Sequence, residues 1–320
     1  MPAEKPVVLM AGPTASGKSA LALRMARLLD GIIVNADALQ VYRDLRILSA
    51  RPSEADEAAV PHRLYGYRDG ADPCSAADWA ADAMQALEAA WRVGCVPIVV
   101  GGTGLYLRTL IEGIAVVPDI PPAIRAEVRD RMDVEGPEAL HAELRRLDPE
   151  GADRLNPGDR QRIARALEVL LATGRPLRHF QQQAQTAGLA MRGDAGPLLR
   201  LAILPERTAL YERCLARFHH MIDQGALGEV ERLLARRLAP DLPVMKAVGV
   251  AELGMHLAGD CSLDEAIDAA AQQTRRYAKR QYTWLRNQFS DWTPWVGDRS
   301  GAESCDIASL LQKHGLTLKH

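Results

Sequence analysis

The chain has 320 residues, 48% hydrophobic and 25% charged, a composition that fits a folded globular protein and excludes a disordered or fibrous one. Its formal net charge of −2 excludes a globally basic nucleic-acid binder, so any RNA or DNA contact has to come from local clusters. No apolar run reaches the ~18 residues that span a bilayer, no signal-peptide pattern opens the chain, and the five cysteines form no CxxC pair, so a cytoplasmic protein with free thiols and no membrane contact is expected.

The first expected element is a strand over the apolar run 7–11. It leads into Gly12-Pro13-Thr14-Ala15-Ser16-Gly17-Lys18-Ser19, which fits G-x-x-x-x-G-K-[ST]. Residues 19–29 follow with helical spacing, Leu21, Met25, Leu28 and Leu29 sharing one face. Strand, loop and helix in this order are the setting of a P-loop. Its backbone N–H groups make an anion nest at a helix N-terminus. Lys18 adds a point charge and Ser19 a hydroxyl able to hold Mg²⁺. The loop predicts a bound phosphate chain without saying which molecule carries it.

A second strand is expected at 31–35 and ends beside Asp37, at the carboxyl edge where open α/β sheets bind ligands. Asp37 reads either as a general base or as a turn acid. A third apolar run, 95–100, ends in Gly101-Gly102-Thr103-Gly104. An NTP hydrolase commonly has a magnesium-holding Asp at such a point. The glycines here read either as room for something bulky, with the Thr103 hydroxyl beside it, or as a tight turn. Continuous apolar runs separated by helices predict a parallel sheet covered on both faces.

From the proline-rich VPDIPP at 117–122 the character changes. Amphipathic segments at 124–132, 137–147 and 160–173 predict helices, the last capped by Asp159 and ended at Gly174-Arg175-Pro176. A polar stretch at 181–196 leads to a strand over 198–204, then to helices through about 289 and a weakly patterned tail after 295. The expected architecture is an α/β, P-loop NTPase-like parallel sheet flanked by helices, formed by 1–117 and 197–295, with a small all-helical insertion at 118–196 and a tail at 296–320.

Two basic stretches stand out. One carries Arg154, Arg160, Arg162 and Arg165; the other carries Arg275, Arg276, Lys279, Arg280 and Arg286, with no acid between Asp268 and Asp291. On a helix Arg275, Lys279, Tyr282 and Arg286 form one stripe. Interleaving with Tyr277, Tyr282 and Trp284 suits phosphate contacts with base stacking, although a solvated face over buried aromatics gives the same pattern. Two such stretches in an otherwise acidic chain favour RNA.

GPTASGKS, then AD-x-x-Q-V-Y at 36–42, PHRL at 61–64, SAADW at 75–79, VGGTGLY at 100–106, DRQRIARALEV at 159–169, KAVGV at 246–250 and AKRQYTWLR at 278–286 occur in this order. Together they resemble the bacterial tRNA dimethylallyltransferase, or tRNA isopentenyltransferase, family over roughly residues 5–295. The resemblance implies that residues 12–19 hold the diphosphate of dimethylallyl diphosphate, with Mg²⁺ at Ser19. The exocyclic N6 amine of the adenosine 3′ to the tRNA anticodon would attack the allylic carbon. It implies Asp37 as general base, and Lys18 and Arg217 on the leaving diphosphate. RNA contacts are implied for Asp37, Ala38, Leu39, Gln40, Thr103, Arg125, Gln161, Arg162, Ile163, Ala164, Arg165, Lys246, Gly249, Lys279, Arg280 and Arg286. The helical insertion resembles a mobile domain that closes over the anticodon stem, and the family suggests a monomer. His62 matches a family histidine whose role is left open. Ala38, Leu48-Ser49-Ala50-Arg51-Pro52 and Val250 depart from the usual Ser, Gly-Thr-Ala-Lys-Pro and Tyr. A P-loop small-molecule kinase is the alternative, since it too places an Asp after the second strand and a helical lid over the site. An RNA-binding GTPase would want an NKxD motif, which is not found. The Gly-Gly-Thr-Gly turn and the two basic–aromatic stretches favour the transferase.

Overall fold

A computed structural model of the chain describes residues 5–182, 188–191, 195–295 and 303–318. The apolar runs become the strands of one parallel sheet because each is buried along its length: β1 (Lys5–Ala11), β2 (Gly31–Asn35) and β4 (Val96–Gly101) hold the fully buried Val8, Leu9, Val34, Ile98 and Val99. Between them run α1 (Lys18–Leu29), α2 (Glu54–Ala59), the two-residue β3 (His62–Arg63) and α3 (Ala76–Arg92), followed by α4 (Gly104–Glu112). Next come α5 (Pro122–Val134), α6 (Pro137–Leu147), α7 (Pro149–Ala152), α8 (Arg160–Thr173) and α9 (Leu177–Gln181). The chain then returns through β5 (Ala195–Ala202), α10 (Arg207–Asp223), α11 (Ala226–Ala235), a 3₁₀ turn (Pro243–Lys246), α12 (Val250–Ala258), α13 (Leu263–Gln288), β6 (Thr293–Pro294) and α14 (Glu303–Lys313).

The sheet order is β3-β2-β4-β1-β5-β6, all pairs parallel, with Val8 opposite Ile98 on one side and Leu199 on the other. The loop after the central β1 therefore emerges beside those after β4 and β5. One core cluster joins Val8 and Met10 of β1, Leu21 and Met25 of α1, and Ile98 of β4. On α3, Trp79 is fully buried, donates Nε1–H to the Asn35 carbonyl at 2.8 Å and stacks on Tyr106 of α4.

Contacts divide the chain into two compact units, residues 1–111 with 192–320, and residues 112–191. The breaks fall a few residues before those expected at 117/118 and 196/197. Val117 and Ile120 of the proline-rich stretch already pack with Val169 and Phe180 of the helical unit. That unit has its own core of Val128, Met132, Leu140, Leu144, Ile163 and Leu167. Asp159 caps α8 by accepting the Arg162 amide at 3.1 Å, and Gly174 ends it in a left-handed turn at φ 68°.

The weakly patterned tail contains a helix, α14, whose Ile307 and Leu311 are fully buried in the sheet cluster. β5 starts at Ala195 rather than 198 and stops at Ala202, where its pairing with β1 ends. Much of the polar stretch expected at 181–196 lies outside the described residues. Among the described residues no helix is long and apolar enough to cross a membrane.

Candidate active site

The glycine loop wraps the N-terminus of α1. Gly17 has φ 87° and Ala15 φ 60°, left-handed positions that turn the backbone back on itself, and the Ser16 amide closes the turn on the Pro13 carbonyl at 3.3 Å. Gly12 has no room for a side chain: a Cβ would come within 2.6 Å of Ser16 Oγ. Ser16 Oγ is buried without a hydrogen-bond partner, an orphan hydroxyl inside the loop that a phosphate oxygen would satisfy. Lys18 folds over the loop and donates Nζ–H to the Pro13 carbonyl at 3.2 Å. Desolvation lowers its pKa to about 8, with Asp37 opposing and Arg217 reinforcing the shift. Arg217, from α10, donates to Thr14 Oγ1 at 3.1 Å, and its pKa is also lowered by burial, against the pull of Asp37. Among the described residues neither cation has a salt-bridge partner. Two partly desolvated cations without a counter-ion, beside an anion nest, make a site for an anion. Lys18, Ser19, Arg46, Arg51, Arg213 and Arg217 border a cleft of about 840 Å³ at this loop.

Asp37 is fixed by its own turn. The buried Asn35 accepts the Asp37 amide at 2.8 Å and donates to the carbonyls of Asp37 and Leu64, each at 3.0 Å. Asp37 Oδ1 accepts the Leu39 amide at 3.0 Å, and among the described residues Oδ2 makes no hydrogen bond. The Ala38 amide donates to Thr103 Oγ1 at 2.9 Å. Asp37 is therefore a turn acid through one oxygen, with the other making no hydrogen bond among the described residues. Asp37, Thr14 and Arg217 line one cavity of about 230 Å³, together with Leu39, Leu48, Phe218, Met221, Lys246, Val248, Tyr277 and Arg280.

The Gly101-Gly102-Thr103-Gly104 turn is glycine-rich because protein approaches it from several directions. A Cβ at Gly101 would meet the Ala36 carbonyl at 2.0 Å, one at Gly102 the Gln281 amide at 2.3 Å, and one at Gly104 the Trp284 ring at 1.8 Å. The bulk that the turn admits is α13 and the end of β2. Thr103, implied as an RNA contact, spends its hydroxyl on the Ala38 amide and its carbonyl on the first turn of α4. Gln281 is buried and joins two loops, accepting the Thr14 amide at 2.8 Å and donating to the Gly102 carbonyl at 2.9 Å.

On the exposed side of α13, Arg275, Arg276, Lys279, Arg280 and Arg286 have no acidic partner among the described residues. The three aromatic residues there are each half-buried, and Trp284 lines an open groove of about 570 Å³ with Arg276, Lys279 and Arg280. Tyr282 packs with the Leu210–Cys214–Ala278 cluster under Arg207, and Trp284 lies on Gly104 and edge-on to Phe289. Tyr277 alone of the three lines the Asp37 cavity, with Arg280 over its ring.

The remaining implied positions separate into exposed and structural ones. Arg125, Gln161 and Arg162 are exposed on the helical unit, and Arg165 reaches toward Glu168. Ile163 is fully buried in that unit's core, so its side chain is not available to RNA. Ala164 is partly buried against the same core. Lys246 is exposed. Gly249 starts α12 at φ 98°, where a Cβ would crowd Leu48 and Phe218. Gln40 uses both amide hydrogens on the Ser49 and Ala50 carbonyls, each at 2.9 Å. His62 sits in β3, its Nδ1 2.7 Å from the Val60 carbonyl and its ring edge-on to Tyr65.

Sequence reasoning missed Gln281 and Glu229. Glu229 of α11 is buried, and its carboxylate accepts the amides of Arg46, Ile47 and Leu48 at 2.6, 2.8 and 2.9 Å. It holds the departing segment Leu48-Ser49-Ala50-Arg51-Pro52 between the cleft and the Asp37 cavity. Both residues act on partners far away in sequence, a relation that no local pattern carries. Among the described residues no group of three or more His, Cys, Asp or Glu side chains could hold a metal ion. Ser19 offers one exposed hydroxyl at the cleft. That donor set fits Mg²⁺ only where phosphate oxygens of a substrate supply most of the ligands, the usual habit of this ion.

A nest-forming glycine loop between a central parallel strand and a helix, with uncompensated cations above it and no acid at the end of β4, defines a P-loop α/β protein of the phosphate-chain-binding class. Residues 40–288 match the family model described as IPP transferase, and residues 5–70 match that described as isopentenyl transferase. The chain is 54% identical to the tRNA dimethylallyltransferase of Rhodospirillum rubrum over 287 residues, covering 90% of this chain and 87% of that one. The full-length tRNA isopentenylpyrophosphate transferase of Bacillus halodurans superposes with a TM-score of 0.67 at 30% identity, over 98% of each chain. A eukaryotic dimethylallyltransferase crystallised acting on tRNA superposes with a TM-score of 0.80 at 26% identity, over 99% of this chain and 81% of that one. The chain belongs to the tRNA dimethylallyltransferase (IPP transferase) family, which sets aside the small-molecule kinase alternative.

Proposed function

We propose that the protein transfers the dimethylallyl group of dimethylallyl diphosphate to the exocyclic N6 amine of the adenosine 3′ to the anticodon of certain tRNAs, releasing diphosphate. The observation that carries this reading is the single cavity shared by the Asp37 carboxylate, Arg217 and Thr14 of the phosphate loop. A kinase site would aim such a loop at a phosphorus atom. Here a base and a leaving-group site flank a space lined by Leu39, Leu48, Phe218, Met221 and Val248, which suits an allylic carbon and keeps water from it.

The steps follow from these positions. The adenosine leaves its stack and enters beside Asp37. Its amine forms the N–C bond to the allylic carbon as the C–O bond breaks and the electron pair departs with the diphosphate. The proton shed by the amine passes to Asp37 Oδ2. Charge grows on the leaving diphosphate, where Lys18, Arg217, the Ser16 hydroxyl and the amides of residues 15–19 receive it. Ser19 would hold Mg²⁺, which supplies further neutralisation of the diphosphate when bound. Tyr277 and Leu39 flank the base; Lys246, Lys279, Arg280 and Arg286 contact the RNA backbone, as do Arg125, Gln161, Arg162 and Arg165 of the helical unit. We further infer a monomeric enzyme working in the cytoplasm.

The test is an incubation with bulk tRNA and either carbon-labelled dimethylallyl diphosphate or γ-labelled ATP. The prenyl label is expected in RNA on one adenosine, and ATP is expected to be neither consumed nor required. Steady ATP turnover stimulated by a small metabolite would overturn the reading.

A further inference from the structure

Gln281 stands on α13 between two surfaces that the reaction uses. Its neighbours Lys279 and Arg280 are exposed on the basic side of the helix, and Arg280 with Tyr277 one turn earlier lines the Asp37 cavity. The Gln281 side chain points the other way and is buried. It accepts the Thr14 amide at 2.8 Å and donates to the Gly102 carbonyl at 2.9 Å. Glycine at 102 is what lets it reach, since a Cβ there would lie 2.3 Å from its Nε2.

The two loops it joins have separate tasks. Thr14 belongs to the phosphate loop, and its hydroxyl accepts from Arg217 at 3.1 Å. Because Gln281 takes the Thr14 amide, that N–H is withdrawn from the anion nest and serves to fix the loop. The adjoining Thr103 supports the Asp37 turn through the Ala38 amide at 2.9 Å. One side chain thus links α13 to the leaving-group site directly and to the base through Thr103. RNA phosphates contacting Lys279 and Arg280 would bear on the same turn of α13 whose Gln281 fixes Thr14.

We propose that Gln281 is a positioning residue that couples RNA engagement on the basic side of α13 to diphosphate binding in the phosphate loop, each strengthening the other. This rests on the reading of residues 12–19 as a diphosphate cradle and of α13 as RNA-facing. Coupling between two sites is reciprocal and commonly amounts to about 5–150-fold in affinity.

The experiment measures the dissociation constant of inorganic diphosphate by titration calorimetry, with and without a saturating anticodon stem-loop RNA. It uses the native protein, Gln281→Met and Gln281→Glu, with prenyl transfer to tRNA followed in parallel. The native protein is expected to bind diphosphate about tenfold more tightly when RNA is present. Gln281→Met loses both hydrogen bonds. Gln281→Glu keeps an acceptor for Thr14 but cannot donate to Gly102, and serves alone if the methionine variant does not fold. In either variant the ratio is expected to fall below about twofold, with RNA affinity alone within about threefold of native. A purely structural role would lower the melting temperature and leave the ratio intact. A folded variant with the native ratio, or a native protein that modifies tRNA without any coupling, overturns the inference. Absence of prenyl transfer by the native protein would instead overturn the functional reading beneath it.

Discussion

Lys18 is held at a cost that an anion bound in the glycine loop would relieve. Its pKa is about 8 against an ordinary value of 10.5, because burial outweighs the attraction of Asp37. The unfolded chain binds the proton more tightly, so this residue's contribution to stability rises with pH between about 8 and 10.5. Lys18→Met is therefore expected to melt higher than the native protein at pH 7, the gap closing across that window. Diphosphate affinity of the native protein runs the other way, falling as pH rises through 8. Binding takes up protons there, which makes the calorimetric heat depend on the buffer. Lys18→Ala is expected to weaken diphosphate binding and slow turnover while leaving tRNA affinity within a few-fold; equal loss of both would place Lys18 elsewhere in the mechanism. Asp37→Asn keeps the Leu39 contact and the shape of the turn but removes the basicity. Turnover is expected to drop by about 10²–10⁴, the usual worth of general base catalysis. Substrate affinities should stay within a few-fold, and near-native turnover would reduce Asp37 to a turn residue. Its position after β2 was legible in the sequence. The split between its two oxygens was not, because that depends on Asn35, Leu39 and Thr103 meeting in three dimensions.

Among the elements, α13 and the loop that Glu229 holds border the proposed site. The charge pattern of α13 marked its exposed side, whereas its buried side stayed hidden: Gln281 sits among the basic residues yet is buried, and Tyr282 packs against Leu210 and Cys214 of α10. If Arg280 and Arg162 contact RNA phosphates, replacing either by alanine should weaken tRNA binding and lower the salt slope by about one unit. An unchanged slope would make that residue structural. Glu229→Gln leaves an amide nitrogen facing one of three backbone donors, so a loss of about 1–3 kcal/mol in stability is expected by denaturant titration. The loop also borders the cleft and the cavity, so the KM for dimethylallyl diphosphate should rise with it. The P-loop, β2 and the helices of the insertion were readable because period and punctuation are local. The two-residue β3 offered too little pattern. The tail's spacing of Ile307 and Leu311, one helical turn apart, gained its meaning only when the sheet cluster buried both.

At the level of the whole molecule, a fold associated with breaking P–O bonds is turned to breaking C–O. What redirects it is composition at the sheet's carboxyl edge. β4 ends in glycines that admit α13 instead of an acid that would hold a metal against a γ-phosphate. Asp37 faces a cavity with an apolar wall of Leu39, Leu48, Phe218, Met221 and Val248 and a basic one of Arg217, Lys246 and Arg280. The sequence motifs carried the family resemblance, whereas the packing of α13 into the β4 glycines depends on Gln281 and Trp284, far away in sequence. The most direct measurement uses dimethylallyl diphosphate carrying ¹⁸O in the bridge between carbon and phosphorus, turned over to completion with tRNA. Mass analysis of the released diphosphate should find the bridging ¹⁸O retained in it, with the prenyl carbon bonded to nitrogen in the RNA. Diphosphate lacking the ¹⁸O would mean that the bond broken is P–O, and would contradict the account of this site.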